Sequence, residues 1–137
     1  MTTPDPLRAL VVEGIDVARR VLEQVLQSSF TRPVVIDLLK GPEQVPEDTK
    51  GWDLLLVDID HDTEAACAVL RRADARAWRL ATTLYDDEDR LLPALRSGVH
   101  GYLLKQDRLE RQIEILQRTV MGMPEITPAM ARCLLQE

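Results

Sequence analysis

The amino-acid sequence predicts an α/β fold, a doubly wound parallel sheet of five strands, and two observations carry this prediction. First, apolar runs of strand length alternate five times with segments whose apolar residues recur at helical spacing. Second, the run 54–57 is aliphatic throughout, which suits a strand covered on both faces, as strands of a parallel sheet are. This run leads directly into Asp58. Because ligands and chemistry collect outside the carboxyl ends of the strands in open α/β sheets, Asp58 is the first candidate functional residue.

The individual elements follow from local signals. Strands are expected where apolar or β-branched runs occur, at 8–13, 34–36, 53–58, 78–83 and 100–104. Helices are expected where apolar residues recur at helical spacing, at 16–28, 63–75, 87–97 and 107–121. Residues 41–50 include two prolines and a glycine, so a helix there is expected to be short or poorly formed.

Proline and glycine set further expectations in the C-terminal half. Pro93 removes a backbone donor, so the helix at 87–97 is expected to begin late or to bend, and Gly98 is well placed to end it. Further on, Thr127 is the expected N-cap of a short helix whose first residue is Pro128. These signals divide the chain into a domain at 7–121 and a tail segment at 122–137.

Composition limits the classes of protein to which the chain can belong. Its 137 residues are enough for a single domain with one core. A net charge of −6 argues against nucleic-acid binding by this chain alone, because such binding needs a basic face. No apolar run approaches the length of a membrane span and residues 1–6 lack a signal-peptide pattern, so we expect a cytoplasmic protein without a membrane partner. Cys67 and Cys133 are expected to be buried or semi-buried thiols and not a disulfide.

Polar residues follow the other predicted strands at the same edge as Asp58. Glu13 and Gly14 follow the first strand, Thr83 ends the fourth, and Lys105 follows the fifth. Acid, hydroxyl and ammonium therefore converge at one edge of the predicted sheet. A carboxylate at a strand tip can attack a phosphoryl donor when cations neutralise the crowded negative charge.

The loop after the third strand is dense in potential metal ligands, which are Asp58, Asp60, His61, Asp62 and Glu64. A dedicated metal site in this loop is the less favoured interpretation. We expect instead that Asp62 or Thr63 caps the following helix and that His61 is solvated.

Three motifs carry a resemblance to a known family: the segment Trp52–Asp58, the residue Thr83 and the block Ala94–Lys105. With them, residues 7–121 resemble the receiver domain of bacterial two-component response regulators, most closely that of the NarL/LuxR-type branch. The resemblance implies a (βα)5 flavodoxin-like receiver fold with strand order 2-1-3-4-5. The segment 126–132 is similar to the linker helix that precedes a DNA-binding helix-turn-helix in that branch, so we expect either a fragment or a stand-alone receiver.

The resemblance implies a role for each candidate site residue. Asp58 would be the phosphoacceptor, Thr83 would bond a phosphoryl oxygen, and Lys105 would pair with the phosphoryl group. Tyr102 would be the aromatic residue that reorients on activation, so that Thr83 and Tyr102 together form the switch.

The resemblance also implies a Mg²⁺ site, and here the sequence departs from the family pattern. Receiver domains hold the metal with an acidic pair after the first strand, the phosphoacceptor, and a backbone carbonyl two residues beyond it. In this chain these are Glu13, Asp58 and the carbonyl of Asp60, but Gly14 stands in place of the second acid. Because Mg²⁺ demands near-octahedral oxygen ligation, we expect its binding to be weak or absent. Leu84, where a small residue is usual, is expected to narrow the approach to Asp58.

The predicted function is a non-enzymatic receiver domain in two-component phosphorelay signalling. It would accept a phosphoryl group at Asp58 from a sensor histidine kinase or phosphotransfer protein and regulate an output domain or partner, with transcription as the output that the branch implies. The surface expected to signal, and to form a homodimer, comprises the helix at 87–97, the strand at 100–104 and the helix at 107–121.

Two alternatives stay open at this point. Gly14 and Leu84 also fit a phosphate-independent pseudo-receiver, a protein-interaction or dimerisation module in which Lys105 forms a structural ion pair with Asp58. The pattern of an apolar run followed by Asp-x-Asp at 54–60 is similar to the nucleophile motif of haloacid-dehalogenase-like phosphatases. That motif normally opens the first strand of a longer chain, whereas here it lies on the third.

Overall fold

The computed structural model of the protein describes residues 5–136. Residues 1–4, most of the segment in which a signal-peptide pattern was sought, lie outside the described residues, as does residue 137, the end of the predicted tail segment. Among the described helices, none is long and apolar enough to cross a membrane.

Five parallel strands form a single sheet in the order β2-β1-β3-β4-β5, which confirms the predicted fold class and strand order. The strands are β1 (Leu7–Val12), β2 (Val34–Leu39), β3 (Leu54–Asp58), β4 (Trp78–Thr83) and β5 (Gly101–Leu104). β3 lies at the centre of the sheet and all of its residues are buried, which accounts for its aliphatic sequence.

Five α-helices lie among the described residues: α1 (Asp16–Ser29), α2 (Thr63–Arg72), α3 (Glu88–Arg96), α4 (Leu109–Val120) and α5 (Pro128–Leu135). The helices predicted at 87–97 and 107–121 are therefore α3 and α4. Between β2 and β3, where a helix was expected to be short or poorly formed, Pro42–Gln44 forms a single 3-10 turn.

The proline-containing helix was expected to begin late or to bend, and it does not begin late, because α3 starts at Glu88 and Pro93 lies inside it. The early start is stabilised by Asp87, whose side chain accepts a hydrogen bond of 2.9 Å from the backbone N of Arg90. Pro93 lacks an N–H, so α3 is one backbone hydrogen bond short in its interior. Gly98 follows the helix with a φ of 92°, as a residue that ends a helix commonly does.

Two predicted helix caps are confirmed. Asp62 accepts a hydrogen bond of 3.1 Å from the backbone N of Ala65 at the start of α2. Thr127 accepts one of 3.2 Å from the backbone N of Met130, with Pro128 as the first residue of α5. Both side chains satisfy a backbone donor that the helix itself leaves free.

The core lies on both faces of the sheet, because successive side chains of a strand point to opposite faces. Leu55 and Val57 belong to a buried cluster with residues of α2, α3 and α5. Leu54 and Leu56 belong to a second cluster with residues of α1 and α4. Helices thus cover both faces of β3 and leave its carboxyl end, at Asp58, as the place where a polar side chain reaches the edge of the sheet.

The tail segment packs against the domain through α5. Ala129, Met130 and Cys133 are buried and belong to the same core cluster as α2 and α3. The side chain of Arg132 is hydrogen-bonded to that of Glu88 at the start of α3. α5 therefore covers part of α3, which is one of the three elements of the predicted signalling surface.

Candidate functional site

Asp58 ends the central strand as a fixed carboxylate that is 7% exposed. Its Oδ1 accepts hydrogen bonds from Lys105 Nζ at 2.7 Å and from the backbone N of Asp60 at 3.1 Å. Its Oδ2 accepts one from the backbone N of His61 at 3.3 Å. The predicted phosphoacceptor and the predicted lysine therefore lie in direct contact.

Lys105 bridges two carboxylates at the carboxyl end of the sheet. Its Nζ lies 2.7 Å from Asp58 Oδ1 and 2.7 Å from Glu13 Oε1. The residue is held in place by its own backbone N, which donates a hydrogen bond of 2.8 Å to the carbonyl of Thr83. Burial lowers the pKa of Lys105, but the bonds to Asp58 and Glu13 outweigh it, so the pKa is raised overall and the ammonium is charged at neutral pH.

Glu13, at the end of β1, is almost fully buried. Its Oε2 accepts a hydrogen bond of 3.2 Å from the backbone N of Ile15. Its Oε1 forms the ion pair with Lys105 but has no aligned hydrogen bond. At Gly14, next in the chain, a Cβ would lie 3.2 Å from the carbonyl oxygen of Lys40, so the backbone there is close to a neighbouring loop.

These residues, as placed, do not fit a Mg²⁺ ion. The ammonium of Lys105 lies between Glu13 and Asp58, the two predicted carboxylate ligands. The backbone carbonyl of Asp60, the third predicted ligand, accepts a contact of 3.4 Å from Arg90. Within residues 5–136 no three acidic, histidine or cysteine side chains converge in a way that could hold a metal ion.

The side chain of Asp60, which the sequence indicated only as a less favoured metal ligand and as the second acid of the Asp-x-Asp motif, lies at the centre of the site. Its Oδ1 accepts a hydrogen bond of 2.6 Å from the hydroxyl of Thr83, and its Oδ2 accepts one of 2.7 Å from the backbone N of Leu84. Arg90 of α3 lies 3.7 Å from Oδ1 and Lys105 lies 3.8 Å from Oδ2. The signal that could have found this role is the second acid of the Asp-x-Asp sequence, which follows β3 directly beside the end of β4.

Thr83 is fully buried and makes its contacts with Asp60 and the following loop, not with Asp58. Besides donating to Asp60, its hydroxyl accepts a hydrogen bond of 3.1 Å from the backbone N of Tyr85. Leu84 lies beside this site and lines the open pocket that Glu13, Asp58, Asp60 and Lys105 also line. That Leu84 narrows the approach to Asp58 stays a prediction.

Tyr102, the second predicted switch residue, lies apart from this cluster. Its hydroxyl is hydrogen-bonded to Asp86 Oδ1 at 2.7 Å and to Thr127 Oγ1 at 2.7 Å. Burial raises the pKa of Tyr102, the bond to Thr127 opposes this, and Asp86 adds to it, so the hydroxyl is protonated at neutral pH. Tyr102 connects β5 to the start of α5.

Comparison with known proteins finds similarity to one relative by sequence and to response regulators by fold. The chain is 38% identical over 58 residues to oxygen regulatory protein NreC of Staphylococcus carnosus (strain TM300), a match that covers 42% of this chain and 27% of NreC. The matched segment thus spans about a quarter of that relative's length. No family model matches the chain.

Solved structures give the same assignment over most of the chain. The response regulator ChrA of a heme-sensing two-component system is 26% identical, with a TM-score of 0.70 over 96% of this chain and 65% of ChrA. A LuxR family DNA-binding response regulator from Silicibacter pomeroyi is 16% identical, with a TM-score of 0.68 over 86% of this chain and 93% of that one.

The fold is therefore that of a response-regulator receiver domain. The match to NreC supports the NarL/LuxR branch within that class, as the sequence motifs predicted. Several of the similar solved structures are response regulators, which is consistent with a receiver domain in two-component signalling.

Proposed function

We propose that this chain is a receiver domain that accepts a phosphoryl group at Asp58 from a sensor histidine kinase or a phosphotransfer protein. The observation that carries the proposal is the pairing of Asp58 Oδ1 with Lys105 Nζ at 2.7 Å, at the carboxyl end of the central strand. Thr83 lies at the end of the neighbouring strand, and its hydroxyl donates to Asp60, two residues beyond the acceptor.

In the proposed reaction a carboxylate oxygen of Asp58 forms a bond to the phosphorus atom of the donor. The bond between phosphorus and the leaving group breaks, and its electron pair stays on the leaving group. Lys105 is the cation that neutralises the negative charge gathering around phosphorus. The domain itself performs no multiple-turnover chemistry in this proposal, because the phosphoryl group stays on Asp58 as a signal.

The signalling surface in this proposal consists of α3, β5 and α4. α5 already packs against α3 within one chain, and Arg132 is bonded to Glu88 there. A homodimer through this surface therefore either includes α5 in its interface or requires α5 to move. Because Tyr102 is bonded to Thr127 at the start of α5, a reorientation of Tyr102 would act directly on that helix.

A second candidate function is a phosphate-independent interaction module. The internal bonding of the pocket favours it, since Lys105 is already paired with both Asp58 and Glu13. In such a module the ion pairs would hold one arrangement of the signalling surface permanently.

Intact-mass measurement after incubation with Mg²⁺ and a small phosphodonor separates the two functions. We expect a single labile phosphoryl adduct on the wild type and none on Asp58→Ala or on the isosteric Asp58→Asn. If the folded wild type, Asp60→Ala and Gly14→Asp all remain unmodified, the phosphoacceptor role of Asp58 is wrong. The phosphate-independent interaction module is then the function that remains.

A further inference from the structure

We propose that the carboxylate of Asp60 is an internal ligand that fills the oxyanion site of this receiver, so that a phosphoryl group must displace it. The oxyanion site consists of the hydroxyl of Thr83 and the backbone N–H of Leu84, flanked by Lys105 and Arg90. The inference goes beyond the phosphoacceptor role of Asp58, because it concerns which group holds these donors before any phosphoryl group arrives.

The two hydrogen bonds to Asp60 are short and occupy both donors. Thr83 Oγ1 lies 2.6 Å from Asp60 Oδ1, closer than the 3.4 Å to its alternative acceptor, the carbonyl of Tyr85. Leu84 N lies 2.7 Å from Asp60 Oδ2. A hydroxyl and a backbone amide each carry one proton. Neither can therefore donate a full hydrogen bond to Asp60 and to an incoming phosphoryl oxygen at the same time.

The charges of the site lead to the same conclusion. Three carboxylates, those of Glu13, Asp58 and Asp60, lie within 4 Å of Lys105, and only that of Asp60 also lies within 4 Å of Arg90. A phosphoryl group on Asp58 would add negative charge to a cluster in which the carboxylates already outnumber the cations. Movement of Asp60 out of the site relieves this excess and frees Thr83 and Leu84.

The ligand that this site accepts is a tetrahedral oxyanion of the phosphate type. The donors match that chemistry, because a hydroxyl, a backbone N–H and two cationic side chains are groups that bind phosphoryl oxygens. The carboxylate of Asp60 presents two oxygens and one negative charge to the same donors. Because Asp60 is part of the chain, this acceptor is always close to the site. It is therefore a built-in competitor of phosphate and of the phosphorylated form of Asp58.

Titration with inorganic phosphate, without metal, tests this directly. The readout is the amide NMR signal of Leu84 in the wild type, in Asp60→Ala and in Asp62→Asn. Asp62 lies in the same loop and is exposed, and asparagine keeps its capping bond to α2, so this control removes the same charge without opening the site. We expect Asp60→Ala to bind phosphate at least about tenfold more tightly than the wild type, a factor equivalent to about 1.4 kcal/mol. Asp62→Asn should resemble the wild type.

Two further variants keep the test decisive. If Asp60→Ala does not fold, Asp60→Asn makes the same comparison, because it keeps the volume of the side chain and removes its charge. Adding Thr83→Val to the Asp60 variant should abolish the gain, since the hydroxyl donor is then absent. Equal phosphate affinity in the wild type and the Asp60 variants, or an equal gain in Asp62→Asn, overturns the inference.

The phosphodonor experiment distinguishes failure of this inference from failure of the proposed function. If Asp60→Ala gains phosphate binding but Asp58 is never modified, Asp60 is the internal ligand and the phosphoacceptor role is wrong. If Asp58 is modified at the same rate in the wild type and in Asp60→Ala, the phosphoacceptor role stands and the competitor role of Asp60 is wrong.

Discussion

The hydroxyl of Tyr102 lies 2.7 Å from Thr127 Oγ1, which joins the last strand of the sheet to the residue that caps α5. The same hydroxyl is bonded to Asp86, in the loop before α3. The phenol of Tyr102 thus connects β5 with the loop before α3 and with α5. Of these three elements, only β5 contains Tyr102 and its neighbours in the sequence. Tyr102 is therefore one of the residues that link α5 to the sheet.

Tyr102→Phe is expected to loosen α5, because it removes both hydrogen bonds of the hydroxyl. We expect the free energy of unfolding to fall by about 1–2 kcal/mol, since each lost hydrogen bond is worth about 1 kcal/mol. Hydrogen exchange should become faster in 128–135. The matched control is Tyr85→Phe, the same deletion on an exposed ring, which keeps the stacking of Arg90 at 4.7 Å. Equal exchange rates in the two variants would contradict the role of Tyr102.

Lys105→Met is expected to destabilise the fold strongly, because it leaves the buried carboxylates of Asp58 and Glu13 without their shared cation. Removal of one partner of a buried ion pair costs about 3–5 kcal/mol, and we expect a loss of about 3 kcal/mol in the free energy of unfolding at neutral pH. Chemical denaturation measures it. Lys40→Met is the control, since Lys40 lines the same pocket but is exposed, and it should change stability by about 0.5 kcal/mol or less. Similar losses in both variants would show that the ion pairs contribute little.

Gly14→Asp is expected to raise Mg²⁺ affinity and the rate of phosphorylation if the missing acid is what weakens the metal site. The added Cβ would lie 3.2 Å from the carbonyl oxygen of Lys40, so the substitution carries a steric cost of its own. Gly14→Ala has the same Cβ without the carboxylate and isolates that cost. Mg²⁺ titration followed by calorimetry compares the two variants. No gain of Gly14→Asp over Gly14→Ala would identify Leu84 or the bridging Lys105 as the obstacle.

Stability is expected to fall on mild acidification partly through His100. Burial lowers the pKa of His100, the nearby charge of Arg79 lowers it further, and the hydrogen bond between its Nδ1 and the backbone N of Arg79, at 3.0 Å, links the two residues. Because the folded-state pKa is below the ordinary value, the neutral ring contributes stability above about pH 6.5 that is lost as the pH falls through the folded-state pKa.

The contribution of His100 can be measured by comparing wild type and His100→Gln in chemical denaturation at about pH 7.5 and about pH 5, the interval in which an ordinary histidine titrates. The loss of stability over this interval should be smaller in His100→Gln. The difference between the two proteins cancels the contribution of the carboxylates that titrate in both. An identical loss in both would mean that His100 does not sense pH in this range.

The sheet and the position of Asp58 could be predicted from the sequence because both depend on local pattern. A continuous aliphatic run predicts a strand covered on both faces, and the parallel order then brings the ends of β1, β3, β4 and β5 to one edge. The contact between Asp58 and Lys105 follows from that geometry. Asp58 ends one apolar run and Lys105 follows another. The distance between the two residues is therefore determined mainly by the positions of the strand ends.

The role of the Asp60 side chain could not be predicted because it depends on rotamer choice and competition among donors. Its carboxylate reaches Thr83 and Leu84, which are more than twenty residues away in the sequence. The late start that Pro93 suggested for α3 does not occur for a related reason. The capping bond from Asp87 outweighs the cost of Pro93 inside the helix, and sequence reasoning weighed the proline alone.

The packing of α5 against α3 also places a thiol where it can report on this contact. Cys133 lies fully buried on the inner face of α5, its Sγ lies 3.8 Å from the carbonyl oxygen of Glu88, and burial raises its pKa. A maleimide or iodoacetamide reagent reacts with an exposed thiolate, so Cys133 is protected as long as α5 is docked. Cys67, buried in α2, provides an internal reference within the same molecule. The rate at which Cys133 is alkylated relative to Cys67 thus measures how often α5 leaves the signalling surface. The measurement uses the two native cysteines and needs no introduced residue.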